Sequence, residues 1–181
     1  MTIGDDLVRA VQRLEDAANR HAIDELVHML DDDVELELVG LATVVGTEQM
    51  RKVFEYDAGV NGELHFTNRT ARGDAVECRL VERNDRLREA GLDEMTYQPC
   101  VVTFSDVRSA HPTIRSWRAV PDQEAIRTFT RFWASVRRWI ADNHQTDAAR
   151  LFTFDGHFIR TRANGERSVQ LAREYRSTLG G

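Results

Sequence analysis

The chain is poor in several residue types, and each shortage argues against a class of protein. Its 181 residues include only two cysteines, Cys78 and Cys100. Each lies in an apolar run, which predicts buried thiols rather than a disulfide. Neither the cysteines nor the histidines have the spacing of a zinc site, so we predict no metal and no cofactor. No apolar run approaches the ~20 residues that a helix needs to cross a bilayer.

Basic residues are also in short supply. The formal net charge is −6, and arginine carries almost all of the positive charge because lysine is nearly absent. Without a face-wide excess of lysine or arginine, nucleic-acid binding is not expected. Met1 to Asp6 has neither the basic nor the apolar segment of a signal peptide. We therefore expect a soluble, cytoplasmic protein with no nucleic-acid partner and no membrane partner.

The apolar pattern predicts an α+β chain. Hydrophobic residues make up 41% of it, enough for a core at this length. Two helices come first, and Asp31-Asp32-Asp33 is expected to end the second. An alternating strand, a connection at Gly40–Thr43 and a third helix that begins near Thr47 follow. The later strands are predicted at Glu63–Ala71, Asp74–Leu87, Met95–Ser105 and Thr113–Val120. A long helix, Asp122–Asn143, follows them, and its broad apolar stripe predicts a packed face.

The C-terminal segment differs in character from the rest. Phe152–Ile159 predicts a small hairpin with Asp155-Gly156 as its turn. A last helix then begins at Asn164 or Gly165. We predict a main domain at 1–143 and an extension at 144–181, packed on the main domain or on a partner subunit.

The octapeptide Cys78–Asp85 predicts a strand that carries an arginine and a carboxylate on one face. Successive strand side chains alternate, so Arg83 and Asp85 share a side. In a pocket, such a pair could hold a carboxylate ready for proton transfer. We predict Asp85 as the catalytic acid or base and Arg83 as the residue that orients it. A structural ion pair at the sheet surface is the alternative that the residues leave open.

The order of elements and the segment Val44-Val45-Gly46-Thr47-Glu48 resemble the nuclear transport factor 2-like superfamily, which includes the SnoaL-like polyketide cyclases, ketosteroid isomerase, scytalone dehydratase and limonene epoxide hydrolase. The resemblance covers about residues 5–122. It implies a cone-shaped cystatin-like fold, in which a curved antiparallel sheet wraps around helices and encloses an apolar pocket. In this chain, a C-terminal helical extension would follow the cone-shaped domain. It also implies a small hydrophobic molecule as ligand and a homodimer.

The chain is similar to limonene epoxide hydrolase at two local motifs. Glu82-Arg83-Asn84-Asp85 matches its Glu-Arg-x-Asp strand, and Trp117-Arg118 matches the start of its Trp-Arg-Asp strand. Ala119 stands where that family has its second acid, and Leu36 and Leu38 fall at its water-holding Tyr-x-Asn positions. Because water attack on an epoxide needs both an acid and a base, hydrolysis by the family mechanism is not expected.

Ketosteroid isomerase offers a second comparison, in which the family's base would fall on Glu37. Glu35 and Glu37 alternate with Leu36 and Leu38, so only one set can face a pocket. We favour the leucines, because a half-buried strand usually turns its apolar set inward.

Six side chains are predicted to bind the ligand. Tyr97 could donate a hydrogen bond to a substrate oxygen, and the others would shape the pocket; the set is Tyr97, Trp117, Leu36, Leu38, Phe54 and His65. One acid fits isomerisation, dehydration or cyclisation of a small hydrophobic molecule better than hydrolysis. A binding module without catalysis and a dimerisation domain remain open alternatives.

Overall fold

The computed structural model describes residues 2–109 and 111–179, and within them the chain forms seven helices and six strands. The helices are α1 (Ile3–Asn19), α2 (Ile23–His28), α3 (Thr47–Gly59), α4 (Asp85–Glu89), α5 (Gln123–Asn143), α6 (Gln145–Leu151) and α7 (Arg162–Leu179). The strands are β1 (Leu30–Leu38), β2 (Ala42–Val45), β3 (Glu63–Arg72), β4 (Ala75–Arg83), β5 (Met95–Ser105) and β6 (Thr113–Pro121).

The strands form one curved, open sheet in the order β2-β1-β6-β5-β4-β3. The predicted α+β fold class is confirmed. The sheet is not wholly antiparallel, because β1 and β6 pair in parallel, with Leu36 opposite Trp117. These two strands are far apart in the chain, and the elements between them supply the crossover that a parallel pair needs.

The first strands differ from the prediction. Asp31–Asp33 was expected to end a helix, but these residues lie in β1, where the Asp31 carboxylate accepts hydrogen bonds from the hydroxyls of Ser105 and Thr113. The expected connection after Gly40 contains β2, a short edge strand that pairs with β1. Its four residues are too few for alternation to reveal a strand.

The segment after β4 corrects the prediction for Arg83 and Asp85. β4 ends at Arg83, and Asn84 caps α4, with its side-chain oxygen accepting the Leu87 N–H at 2.8 Å. Asp85 is the first residue of α4 and not part of a strand. The predicted pairing on one strand face is wrong, because the cap turns the chain between the two residues.

Two buried clusters divide the apolar stripe of α5. Ile126 and Phe129 pack on the main core between the sheet and helices α1 to α3. The rest of the stripe joins the C-terminal segment in a second cluster around Val136, Ile140 and Leu171.

Cys78 and Cys100 are opposite each other on β4 and β5, and both are buried free thiols, as predicted.

The C-terminal segment packs against the main domain through α3, α4 and α5. Gly59 makes this possible, since a Cβ at that position would lie 2.9 Å from the Arg162 Cα. The predicted hairpin is a single bridge between Phe152 and Phe158, and α6 precedes it without having been predicted. The boundary at residue 143 stays a prediction. Gly180 and Gly181 of the predicted extension lie outside the described residues.

Candidate active site

A cavity of about 290 Å³ lies between the sheet, α3, α5 and the C-terminal segment. Most of its wall is apolar, and every one of these elements contributes to it; representative side chains are Leu36, Val44, Phe54, Leu80, Trp117, Phe129 and Phe158. Polar groups are fewer, chiefly Tyr56, Asp57, Glu82, Asn84, Arg86, Tyr97 and Arg160. An apolar wall with a few convergent polar groups is the usual form of a small-molecule site.

Glu82 reaches the cavity from β4. It lies two residues after Leu80, so both side chains project from the same face of the strand. Tyr97 donates its hydroxyl to one carboxylate oxygen at 2.6 Å, and the Asn84 side-chain amide donates to the other at 2.5 Å. Because the Asn84 oxygen caps α4, the amide is fixed at both ends. These contacts hold Glu82 in one orientation.

Asp57 reaches the same cavity from the last turn of α3. Among the described residues, its carboxyl group takes part in neither a hydrogen bond nor a salt bridge. The C-terminal end of a helix carries partial negative charge, which disfavours a carboxylate there. Asp57 therefore has the opposite environment to Glu82, although the two share one cavity.

These environments separate the protonation states of the two acids. Burial raises the pKa of Glu82, and the hydrogen bonds from Tyr97 and Asn84 oppose that shift. Burial raises the pKa of Asp57 well above its ordinary value, and the negative charge of Glu82 raises it further, while the positive charge of Arg160 opposes both. Both pKa values are raised, but only Glu82 receives hydrogen bonds that favour its ionised form, and two acids made unequal in this way can act as an acid–base pair. The geometry favours an ionised Glu82 beside a protonated Asp57.

Arg86 lies in an aromatic cage on one side of the cavity. Its guanidinium carbon is 3.7 Å from the ring centroid of Trp133, and the rings of Tyr56, Phe129 and Phe158 surround it within 5.8 Å. Its Nη1 donates to the Tyr56 hydroxyl at 2.5 Å. The positive charge also lowers the pKa of Tyr56, although burial dominates and raises it.

Five of the eight residues predicted for the site line the cavity: Leu36, Leu38, Phe54, Tyr97 and Trp117. Three do not. Arg83 is exposed and donates to Glu94 at 2.9 Å. Asp85 accepts hydrogen bonds from Asn61 and Arg88, facing α7 instead of the cavity. His65 lies on the outer side of β3, with its Nδ1 3.7 Å from Glu15.

The prediction that the leucines of β1 face inward is confirmed. Leu36 and Leu38 line the cavity, while Glu37 forms an ion pair with Arg118 at 2.8 Å on the other face of the sheet. Glu37 therefore does not occupy the position of a base in this cavity.

Sequence reasoning missed Asp57, Arg86 and the contribution of the C-terminal segment. Glu82 is the first residue of the Glu-Arg-x-Asp motif, but it was not predicted as a site residue. Its apolar neighbour Leu80 carries the signal, because a buried Leu80 fixes Glu82 on the inner face. Asp57 could have been found from its helical spacing to Val53 and Phe54. Phe158 and Arg160 show no local pattern that points to a cavity.

Comparisons with known proteins show which fold family the structure resembles. No family profile and no curated relative matches the chain. Similar solved structures include BvnE pinacolase from Penicillium brevicompactum, at 18% identity and TM-score 0.57, covering 72% of this chain and 96% of that one. An LEH-like epoxide hydrolase from M. tuberculosis matches at 19% identity and TM-score 0.56, covering 71% and 92%. A protein of unknown function from Cytophaga hutchinsonii, named as nuclear transport factor 2-like, matches at 10% identity and TM-score 0.51, covering 65% and 90%.

The chain has the nuclear transport factor 2-like fold. At identities below 20%, this likeness shows the fold alone, and function depends on the site. Among the described residues, no helix is long and apolar enough to cross a membrane. Nor do these residues form a cluster of three or more side chains suited to a metal ion.

Proposed function

We propose that this protein is an enzyme that moves a proton on a small, mostly hydrophobic molecule, with Glu82 as the base and Asp57 as the acid. The observation that supports it is one largely apolar cavity containing two carboxyl groups in opposite environments. The catalytic role proposed from the sequence for Asp85 and Arg83 passes to this pair, because those two side chains lie outside the cavity.

The reaction follows from the two environments. Glu82 accepts a proton from a C–H or O–H group of the bound molecule, and Tyr97 and Asn84 keep its carboxylate aligned. Asp57 gives its proton to the oxygen or carbon on which electron density develops. When both proton transfers occur on one molecule, the product is an isomer. When the protonated oxygen leaves as water, it is a dehydration product. Such positioned groups typically contribute about 10²–10⁴ in rate.

The water-holding groups expected of an epoxide hydrolase are still missing from β1. Leu36 and Leu38 make that wall of the cavity apolar. The second acid, however, is supplied by Asp57 from α3 instead of by the Ala119 position. Isomerisation, dehydration or cyclisation therefore fits the cavity better than hydrolysis.

Deuterium exchange tests the proposal without knowledge of the natural substrate. Enolisable bicyclic ketones such as α-tetralone are incubated in D2O, and incorporation is followed by mass spectrometry. We expect the wild type to exceed the buffer rate by about 10², Glu82→Gln to fall to the buffer rate, and Asp57→Asn to be slowed. Glu94→Gln removes a partly exposed carboxyl group outside the cavity and serves as the matched control. Equal exchange by wild type and Glu82→Gln would contradict the proposal.

A binding module without catalysis is the second candidate. The apolar wall that β1 forms favours this candidate, because it can hold a hydrophobic ligand but offers no polar group that could take part in catalysis. Ligand binding with no exchange in any of the ketones would support this candidate over the enzyme.

The expected homodimer and cytoplasmic location stay predictions. Light scattering of the purified protein measures the first directly. A mass of one chain across a concentration series would contradict it.

A further inference from the structure

We propose that the molecule bound in this cavity carries a carboxylate and that Arg86 binds it. The inference deepens the proposed function, on which it rests for the reacting end of the ligand, by naming the substrate class as small hydrophobic acids.

Arg86 is held in place before any ligand arrives. Its backbone oxygen accepts a hydrogen bond from the Trp133 indole at 3.3 Å, and the Trp133 ring stacks on the guanidinium at 3.7 Å. Aromatic rings on an arginine fix the plane of its N–H fork and leave the edges free for hydrogen bonding. The arginine is therefore a preorganised donor at the cavity wall.

Most of the N–H donors of Arg86 have no partner among the described residues. A guanidinium has five N–H groups. Within the described part of the chain, one hydrogen bond leaves it, from Nη1 to Tyr56. The buried Nε has no partner. Nη2 also donates to no described residue, and unlike Nε it is not fully enclosed by protein atoms. An oxygen atom of a ligand in the cavity could therefore accept a hydrogen bond from Nη2, and an unpaired donor costs free energy until it finds such a partner.

The charges in the cavity point to an anion. No carboxylate among the described residues forms a salt bridge with Arg86. Glu82, the ionised acid nearby, already has both oxygens occupied by Tyr97 and Asn84. Arg160 adds a second positive charge to the lining. Arg86 is therefore a positive charge of the lining that no described carboxylate pairs with directly, and a ligand anion could form that pair.

A carboxylate fits better than a larger anion. It is planar and matches the fork of a guanidinium. The remaining wall is mostly apolar and encloses about 290 Å³, which suits one ring system or a short chain. The ligand would then place its carboxylate at Arg86 and its hydrophobic part against Leu36 and Trp117, with the reacting carbon or oxygen near Glu82 and Asp57.

Calorimetry with a matched pair of probes tests the inference. 2-Naphthoate and 2-naphthamide have nearly the same shape and differ in charge. We expect wild-type protein to bind the naphthoate about tenfold or more tightly than the amide, a difference of about 1.4 kcal/mol. Arg86→Met should abolish the preference and leave the amide affinity unchanged, while Arg86→Lys should keep part of it. Arg127→Met removes an exposed charge on α5, next to Ile126 of the lining, and should behave as wild type.

Three results would overturn the inference: equal affinity of the wild type for both probes, a preference that survives Arg86→Met, or no binding of either probe to folded wild type. Circular dichroism and Tm establish that the variants fold, and Arg86→Lys provides the test if Arg86→Met does not. Neither probe has an enolisable position, so the result is independent of proton transfer. If the wild type shows Glu82-dependent exchange but no preference for the naphthoate, only the carboxylate inference is rejected. If it prefers the naphthoate through Arg86 but shows no Glu82-dependent exchange, only the catalytic role is rejected.

Discussion

Tyr97 donates its hydroxyl to Glu82 at 2.6 Å, and this hydrogen bond crosses from β5 to β4 inside the cavity. Tyr97 pairs in register with Leu80, so it reaches Glu82 diagonally. An irregularity in β5 lets both Tyr97 and Cys100 point inward although they are three residues apart. The irregularity in β5 therefore places Tyr97 where its hydroxyl can align Glu82, the proposed base.

Tyr97→Phe should raise the pKa of Glu82. Burial already raises that pKa, and the hydrogen bond from Tyr97 is the largest influence opposing it. The acidic limb of the pH–rate profile for deuterium exchange should therefore move to higher pH. The lost hydrogen bond should also cost about 1 kcal/mol, which for a chain of this size corresponds to about 2–4 °C in Tm. Tyr175→Phe, in the second cluster, is the control, and a Tyr97→Phe profile that superimposes on wild type would refute the role of Tyr97.

Asp57→Asn should stabilise the protein at high pH. Burial and the charge of Glu82 raise the folded-state pKa of Asp57 above its unfolded value. The folded state therefore binds this proton more tightly, so its stability is greatest below the unfolded pKa and declines as pH rises toward the folded pKa. Asparagine has no proton to lose. The Tm of Asp57→Asn minus that of wild type should grow from pH 4 to pH 8, by about 2–4 °C for each kcal/mol.

Glu35→Gln is the control for this series, because it removes an exposed carboxyl group that forms no salt bridge among the described residues. A Tm difference for Asp57→Asn that is constant with pH would mean that Asp57 titrates normally in the folded protein.

Asp85→Asn should affect stability and not exchange. Burial acts to raise the pKa of Asp85, but hydrogen bonds from Arg88 and Asn61 outweigh it and lower the pKa. A lowered folded-state pKa gives stability that is present above the unfolded pKa and is lost as pH falls. The variant should therefore lose a few degrees of Tm at pH 7 and little near pH 3. Loss of exchange in a folded Asp85→Asn protein would instead restore Asp85 as the catalytic acid.

Gly59→Ala should weaken the docking of the C-terminal segment. The new Cβ would lie too close to the Arg162 backbone, and backbone cannot move away as a flexible side chain can. We expect a loss of about 1–3 kcal/mol and faster proteolysis within 144–179, with weaker probe binding because Phe158 and Arg160 line the cavity. Glu166→Ala on the exposed side of α7 should change Tm by little. Unchanged proteolysis in Gly59→Ala would show that this close approach does not hold the segment.

Local patterns predicted much of the fold. β5 has the predicted bounds, Met95–Ser105, and α5 begins one residue from its predicted start. Apolar alternation correctly placed Leu36 and Leu38 on the inner face of β1. These features depend on the residues of one element, and a single sequence contains that information.

The candidate site depended on relations between elements, and there the sequence was less informative. Whether Asp85 shares a strand face with Arg83 depends on where β4 ends, and a single cap residue, Asn84, decides it. Asp57 meets Glu82 only because α3 packs across the sheet. Arg160 enters the lining from a segment beyond the family resemblance. A charged motif alone could not distinguish an inward side from an outward one.

The titration of the two carboxyl groups tests the central claim most directly. Side-chain 13C chemical shifts of Glu82 and Asp57 can be followed from pH 3 to pH 9, with Glu82→Gln and Asp57→Asn assigning the signals. We predict that both titrate above the ordinary range, which is about 4 for these acids, and that Asp57 holds its proton to the higher pH. Ordinary pKa values for both groups would contradict the acid–base pair and leave the cavity as a binding site.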